Sequence, residues 1–422
     1  MSDCALETAI SAEEFARLLD GFSPLAEKIA VATSGGPDSM ALALCLKRWG
    51  LRDVTALIVD HGLRAESAME AAQTKERLEA LGLRAEILRW EHEPVKARLH
   101  EAARTARYQL LIGACHKIGA GDLLLGHQRE DQAETILMRL AKGSGVDGLA
   151  GIAAQRMRDG VRLLRPLLGT GKARLVATCE QAGVAFVTDP SNASAKFARG
   201  RLRTMMPLLA EEGLSADMLI ELGARMGEAA DAIDHYARGF LQAAAQVERG
   251  GWVRIDRVPL RDLPRAVRMR ALVLALRYVH EDFYPPERGG LADLLDAISE
   301  PAPPRTFYGC IVSALPERVA ILREPAAVTE TASFHSGESV LWDGRWKVTG
   351  TVEGDEGLEV RALGAAPHDR LDRLAPGLRH AVPQGRVRAT LPALWRGDTL
   401  YAVPAFDEKA PLRASYRKQA FP

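Results

Sequence analysis

Ile29-Ala30-Val31-Ala32-Thr33-Ser34-Gly35-Gly36-Pro37-Asp38-Ser39-Met40-Ala41-Leu42-Ala43-Leu44 is the stretch that decides the fold. It reads as a buried strand, a glycine-rich turn and the start of a helix. Adjacent glycines let backbone N–H groups approach an anion closely, and the helix that follows aims its positive end at the same point. Ser34 and Ser39 add hydroxyls on either side, and Pro37 presets φ for the first helical turn. Asp38 is the odd member. A carboxylate beside a phosphate is repulsive unless a cation separates them, so Asp38 points to Mg²⁺. A chance match to Ser-Gly-Gly-x-Asp-Ser in such a chain is on the order of one in a thousand at average residue usage. The competing reading, a turn that merely uses glycine, is therefore the weaker one.

This loop resembles the PP-loop of the ATP pyrophosphatases. The resemblance implies that Ser34, Gly35, Gly36, Pro37, Asp38 and Ser39 grip the β/γ-pyrophosphate of ATP. It also implies that a substrate oxygen attacks the α-phosphate to give an adenylate.

Outward from the loop, strand candidates (Ile29–Ala32, Val54–Val59, Ala85–Leu88, Leu123–Gly126, Leu163–Leu167) alternate with helix candidates at 38–49, 66–82, 96–119, 130–142 and 171–183. Such alternation predicts βαβ units and a parallel sheet covered on both faces. Ligands bind beyond the C-terminal ends of such strands, where the loop, Asp60-His61 and His127 all fall. Residues ~213–280 are mainly helical by pattern, with Ser215–Phe240 and Leu260–His280 as candidates. Pro301-Ala302-Pro303-Pro304 then interrupts the chain before Ile311–Leu315 and Val319–Leu322. From ~333 onward strand-and-turn chemistry dominates, at Val340–Trp342, Trp346–Val348, Val387–Leu391 and Leu400–Val403. Three domains are expected: 1–210 catalytic, 211–328 mainly helical, and 329–422 small and mixed α+β.

Composition narrows the class. The 422 residues are 47% hydrophobic and 26% charged, as in soluble globular chains. No apolar run approaches the ~18 residues needed to span a bilayer, so no membrane partner is expected. An N-terminus with Glu7, Glu13, Glu14 and Asp20 lacks the build of a signal peptide, and the cytoplasm is the default. Five scattered cysteines without a C-x-x-C pair suggest neither a disulfide framework nor a zinc or iron–sulfur site. Formal net charge is zero, 55 cationic against 55 acidic residues, so any nucleic-acid binding rests on local patches. Residues 361–422 supply one, with 11 Lys+Arg against 5 Asp+Glu.

Gly126-His127-Gln128-Arg129-Glu130-Asp131-Gln132-Ala133-Glu134-Thr135 is the densest polar run. Acidic residues in a first helical turn are ordinary capping. Carboxylates beside a histidine at a strand end also suit Mg²⁺, an ammonium group and a phosphoryl oxygen. Arg104 and Tyr108 share a helix face with Glu101, which by itself reads as a solvated ion-paired surface. Lys196-Phe197-Ala198-Arg199-Gly200-Arg201-Leu202-Arg203 carries four cations and no acid, after an Asp189-Pro190-Ser191-Asn192 turn, and reads as a phosphate contact. Two matches are decoys. Gly143-x-Gly145-x-x-Gly148 follows a helix where a dinucleotide fingerprint must follow a strand. Gly171-Lys172 lacks the Ser/Thr and first glycine of a Walker loop.

Taken in order, these segments resemble the tRNA(Ile)-lysidine synthase family, with S-G-G-x-D-S, V-D-H-G-x-R, E-A-A-R-x-x-R-Y, a G-H-x-x-D-D-Q-x-E-T motif, a glycine-rich loop, R-P-L-L and D-x-S-N followed by F-x-R-N-x-x-R. Departures are Gln128 for a second histidine, Glu130 for the first aspartate and Gly200 for asparagine. The resemblance implies an α/β fold: a parallel-sheet PP-loop (adenine nucleotide alpha hydrolase-like) catalytic domain, a helical middle domain and a mixed C-terminal tRNA-recognition domain. It implies ATP and Mg²⁺, the latter on Asp38, with L-lysine and a CAU-anticodon tRNA(Ile) as partners. The expected catalytic residues are Asp38, Arg104, His127, Asp131 and Glu134. Asp60 and His61 are expected to join the loop in ATP binding, and Lys196, Arg199, Arg201 and Arg203 to hold tRNA. Whether Asp131 and Glu134 meet lysine or magnesium is open, as is a homodimer. The rivals are another PP-loop tRNA-modifying adenylating enzyme and a non-catalytic tRNA-binding PP-loop protein. A cytidine thiolase would need cluster-binding cysteines, and a non-catalytic relative would be expected to have lost Asp38 or the acids at 131 and 134.

Overall fold

The computed structural model describes residues 8–63, 66–92, 99–187, 198–280, 286–352, 354, 357–364, 368–407 and 412–416. The chain forms two compact units, Met1–Ala230 and Asp231–Pro422. In the first, α1 (Ala12–Asp20) precedes β1 (Lys28–Ala32), α2 (Pro37–Trp49), β2 (Asp53–Asp60), α3 (Ser67–Ala80) and β3 (Arg84–Arg89). Then come α4 (Leu99–Ile118), β4 (Asp122–Leu125), α5 (Arg129–Ala141), α6 (Val146–Leu149), β5 (Gln155–Arg158) and β6 (Val161–Leu164). α7 (Lys172–Gln181), α8 (Ala198–Glu211) and α9 (Ala216–Ala244) follow, the last running on into the second unit.

The six strands form one sheet of order β3-β2-β1-β4-β6-β5, parallel except for the β5–β6 pair. Alternation along β1 explains the layers. Ile29 and Val31 join a core with Met40, Leu42, Leu46 and Leu175, while Ala30 and Ala32 face Leu111, Ile112 and Cys115 of α4. Both faces are buried, so the strands read as continuous apolar runs rather than as half-polar ones. The chain leaves β1 toward β2 and later returns to β1's other side as β4. The C-terminal ends of β1 and β4 therefore flank the point where strand order reverses, which is where open α/β sheets bind ligands.

The second unit contains β7 (Ala245–Val247), β8 (Val253–Asp256), α10 (Arg257–Asp262), α11 (Arg265–His280), α12 (Arg288–Ala297), β9 (Ala302–Phe307), β10 (Cys310–Ala314) and β11 (Arg318–Arg323). Beyond them lie β12 (Ala332–Ser333), β13 (Ser339–Trp342), β14 (Trp346–Gly350), β15 (Leu358–Ala362), α13 (His368–Leu374), α14 (Leu378–Ala381), α15 (Arg386–Ala389), β16 (Pro392–Arg396), β17 (Thr399–Ala402) and β18 (Leu412–Tyr416). The expected helices of the middle region are joined by an antiparallel sheet, β7-β8-β11-β10-β9. Pro264 divides the expected helix Leu260–His280 into α10 and α11, because proline lacks the N–H an interior turn needs. The proline-rich stretch forms the edge strand β9, a position where a missing donor is tolerated. One expectation is corrected. Val387–Leu391 alternates like a strand, yet its start is the helical turn α15, entered through Gly385 at φ 69° and closed by Thr390 Oγ1 donating to the Val387 carbonyl. Among the described residues no helix is long and apolar enough to cross a membrane.

Candidate active site

The first βα turn sets the geometry. Gly35 has φ 83°, a conformation that glycine enters without strain. A Cβ there would lie 2.4 Å from Thr74 Oγ1 of α3, so no side chain fits. Gly36 is the N-cap of α2 with no side-chain cap, and Pro37 opens the helix. The helix thus presents its positive end to the loop without a side-chain partner. Ser39 braces the turn from within: its Oγ accepts from the Ser34 N–H at 3.1 Å and donates to the Gly36 carbonyl at 3.0 Å.

Asp38 sits in the first turn of α2 with Oδ1 buried and without a hydrogen-bond partner. Burial pushes its carboxyl up to about 6; Lys172 opposes that shift, and Asp131 and Glu130 reinforce it. β4 ends against this turn, since a Cβ on Gly126 would meet the Asp38 carbonyl group at 3.1 Å.

At the end of β2, Asp60 Oδ1 accepts from the Gly62 N–H at 3.0 Å and from Ser67 Oγ at 2.7 Å. Asp60 therefore shapes the turn into α3. His61 keeps Nδ1 buried without a partner, and burial followed by Arg107 lowers its pKa. A cavity of about 240 Å³ opens between the ends of β1 and β2, lined by Ala32, Ser34, Val59, His61, Glu70 and Arg107 among others.

At the end of β4, His127 also has Nδ1 buried without a partner. Burial drives its pKa down to about 3, helped by Arg165, Arg107, Arg104 and Arg199. A neutral imidazole ringed by guanidinium groups is a receptor for an anion, not a proton donor at neutral pH. Arg104 and Tyr108 do share a face of α4, with the guanidinium 5.3 Å from the ring centroid. Arg158 lies 4.9 Å from the same ring centroid, and Arg165 hydrogen-bonds the Tyr108 side chain.

The start of α5 gathers the acids. Gln128 is the N-cap: its Oε1 accepts from the Glu130 N–H at 2.6 Å, and Asp131 Oδ2 accepts from the Gln128 N–H at 3.2 Å. Burial raises the Asp131 carboxyl against that hydrogen bond. Glu130 Oε2 accepts from the Lys172 N–H at the start of α7. Glu134 is only 2% exposed, with Oε1 held by Arg203 Nε and Nη2, both at 2.7 Å. Its other oxygen is buried without a partner. Leu202 and Met206 of α8 pack on the cluster of Ala133, Ile136 and Leu137, which carries Arg203 to Glu134. Arg199 and Arg201 are exposed on α8, while Lys196 and the Asp189–Asn192 turn lie outside the described residues. The Gly143–Gly148 decoy forms the turn after α5. It is tied down by Gln132, which exchanges two bonds with the Ile152 backbone, and by Arg139, which donates to the Gly148 and Gly151 carbonyls.

Arg107, Arg165 and Lys172 are not among the residues that the sequence assigns to the site. Arg107 and Arg165 sat in the quoted E-A-A-R-x-x-R-Y and R-P-L-L runs; Lys172 was set aside with the failed Walker match. Among the described residues no three His, Cys, Asp or Glu side chains converge as a metal cage. Mg²⁺ uses one or two carboxylates and completes its shell with water and phosphate oxygens. A single unpartnered Asp38 oxygen at the mouth of an anion loop fits that donor set.

Comparison with known proteins agrees with this layout. A PP-loop domain model matches residues 8–209. The tRNA(Ile)-lysidine synthase of Methylobacterium sp. is 42% identical over 337 residues, 77% of this chain and 97% of that protein. That of Rhodopseudomonas palustris is 40% identical over 335 residues, 75% of this chain and 96% of that protein. The chain belongs to the tRNA(Ile)-lysidine synthase family. Another family member, the tRNA(Ile)-lysidine synthase from Ruegeria pomeroyi, is 38% identical over 385 residues, 89% of this chain and 88% of its own. Among solved structures, a U34-tRNA thiolase from Methanococcus maripaludis is similar at TM-score 0.44 and 17% identity, over 51% of this chain and 79% of that one. Within the lysidine synthase family, this chain's acid at 130 is the residue that caps α7 beside Asp38, and Gln128 is the residue that caps α5.

Proposed function

We propose that the chain ligates L-lysine to C2 of the wobble cytidine of a CAU-anticodon tRNA(Ile), using ATP, in the cytoplasm. The cytidine C2 oxygen attacks the α-phosphate and pyrophosphate leaves. The lysine ε-amine then attacks C2 and AMP leaves, giving lysidine. The observation that carries this reading is the set of partnerless buried atoms past the C-terminal ends of β1 and β4, Asp38 Oδ1, His127 Nδ1 and Glu134 Oε2, around an uncapped PP-loop.

Each group has a part in that chemistry. The N–H groups at the start of α2 and the loop backbone hold the pyrophosphate. Mg²⁺, when bound, offsets charge on the pyrophosphate leaving group, and Asp38 would hold it. His127, neutral across the working range, hydrogen-bonds a phosphoryl oxygen, and Arg104, Arg107 and Arg165 stabilise the charge that builds there. Asp131 and Glu134 receive the cationic amine, which passes a proton to one of these carboxylates before attack. The cavity at His61 takes the adenosine. Arg199 and Arg201, with Lys196, hold tRNA phosphates. The division at 210 and 328 separates catalytic, middle and tRNA-recognition modules; separate apolar cores at 237–321 and 334–412 support the second boundary.

The test is incorporation of radiolabelled lysine into a tRNA(Ile) transcript with a CAU anticodon, in the presence of ATP. ATP- and lysine-dependent label in the RNA is expected. Continued ATP hydrolysis without label would contradict the reading.

A further inference from the structure

One phenol ring holds three guanidinium groups. Tyr108 is buried on α4, with Arg104 and Arg158 within cation–π reach of its ring and Arg165 donating to its hydroxyl. Like charges gathered in a buried site repel one another, and each loses hydration. Burial lowers the pKa of both Arg107 and Arg165, Tyr108 opposes the shift in each, and Arg104 adds to it. Tyr108 is thus the group that makes this crowding of cations tolerable.

Arg165 depends on that ring for its orientation. Its Nη1 donates to the Ala153 carbonyl at 2.8 Å, the guanidinium also donates to the Tyr108 hydroxyl, and Nε is left buried without a partner. After burial, Arg165 is the largest influence on the His127 imidazole, where β6 brings it by pairing with β4. A planar guanidinium held at one point can swing about it, whereas two fixed donors set the plane. Placement matters here, because an error of about 1 Å in a group that meets the reacting atoms can cost about a hundredfold in rate. We propose that Tyr108 is a positioning residue for the adenylation step: its hydroxyl locks Arg165 and its ring seats Arg104, so that both guanidinium groups meet the phosphoryl oxygens beside His127 without rearranging. The proposal rests on the ligase reading above. Tyr108 acts through the arginines and not on the substrate.

Single-turnover release of pyrophosphate from ATP and the CAU-anticodon transcript, without lysine, tests it on the full-length protein. The rate constant reads only folded molecules, so lost protein does not imitate a lost function. Tyr108→Phe keeps the ring and removes the hydroxyl. It is expected to slow release about tenfold at saturating ATP, with the half-maximal ATP concentration within about twofold of wild type. Arg165→Lys should slow release at least as much, and adding Tyr108→Phe to it should cost less than about twofold more, because the hydroxyl works through the guanidinium. Unchanged release by Tyr108→Phe overturns the proposal, and so does a loss that recurs in full on Arg165→Lys. If Arg165→Lys does not fold, the kinetic split of Tyr108→Phe decides: a slower rate at saturating ATP supports positioning, and a defect confined to the half-maximal ATP concentration overturns it. Wild type separates the two readings. No tRNA-dependent pyrophosphate release rejects the ligase reading, whereas release that Tyr108→Phe leaves unaffected rejects the positioning role alone.

Discussion

The two ends of β4 follow opposite rules. At its start, Asp122 is 2% exposed and fully engaged: Arg162 gives Nε to Oδ1 at 2.7 Å and Nη2 to Oδ2 at 2.9 Å, and the Ala26 N–H adds 2.7 Å. Arg162 spends a further donor on the Phe22 carbonyl. At its far end, Thr33 Oγ1, Asp38 Oδ1, His127 Nδ1, Glu134 Oε2, Thr135 Oγ1 and Arg165 Nε are all buried without hydrogen-bond partners. Folded proteins satisfy the great majority of buried polar groups. Atoms such as Trp346 Nε1 and Trp395 Nε1 share this state elsewhere, but the six past the C-terminal ends of β1, β4 and β6 include two carboxylates and an imidazole, which suits a partner that comes from outside. One end of the strand is finished by the chain itself. On the proposed function, the other is completed by the substrates.

Asp38→Ala should lower adenylation by about a thousandfold while leaving tRNA binding intact in a filter assay; parallel loss of both would make Asp38 a structural residue. Asp122→Ala strands Arg162 among its backbone partners and should cost about 3–5 kcal/mol in denaturant unfolding, with turnover per folded molecule unchanged. A loss of turnover beyond the loss of folded protein would erase the contrast between the two ends. A smaller effect is the pH profile. Asp38 must be ionised to hold Mg²⁺, so Mg²⁺-dependent ATP binding should weaken as pH falls through about 6. Asp38→Asn should lack that step, and its persistence would assign the titration to another group. The smallest effect belongs to the rim: Arg199→Ala or Arg201→Ala should each reduce the salt slope of tRNA binding by about one.

Much of this was legible in the sequence, for physical reasons. A parallel sheet buries both faces, so Ile29–Ala32 and Leu123–Leu125 announce themselves as apolar runs, and the Gly35-Gly36-Pro37 turn carries its own conformational requirement. Residues whose roles depend on convergence were harder to read. Arg165 stands next to His127 only because β6 is paired with β4, and Lys172 approaches Asp38 only because Glu130 caps α7. For Arg203 the sequence offers a phosphate contact, and nothing local to α8 reveals that Glu134 lies beneath it. Alternation misled at Val387–Leu391, where Gly385 and the Thr390 hydroxyl close a helical turn that periodicity does not see.

The open end of the sheet holds its polar groups at a cost to the free fold. The most direct measurement is the ligand-free stability of Asp38→Asn against wild type at pH 8 and pH 4. Because the folded carboxyl is raised from 3.8 to about 6, its burial penalty is fully present above about 6 and gone below the unfolded value. Asp38→Asn is expected to be more stable than wild type at pH 8 by about 3 kcal/mol, with the gain fading toward pH 4. A variant less stable than wild type at pH 8, or a gain that ignores pH, would contradict it.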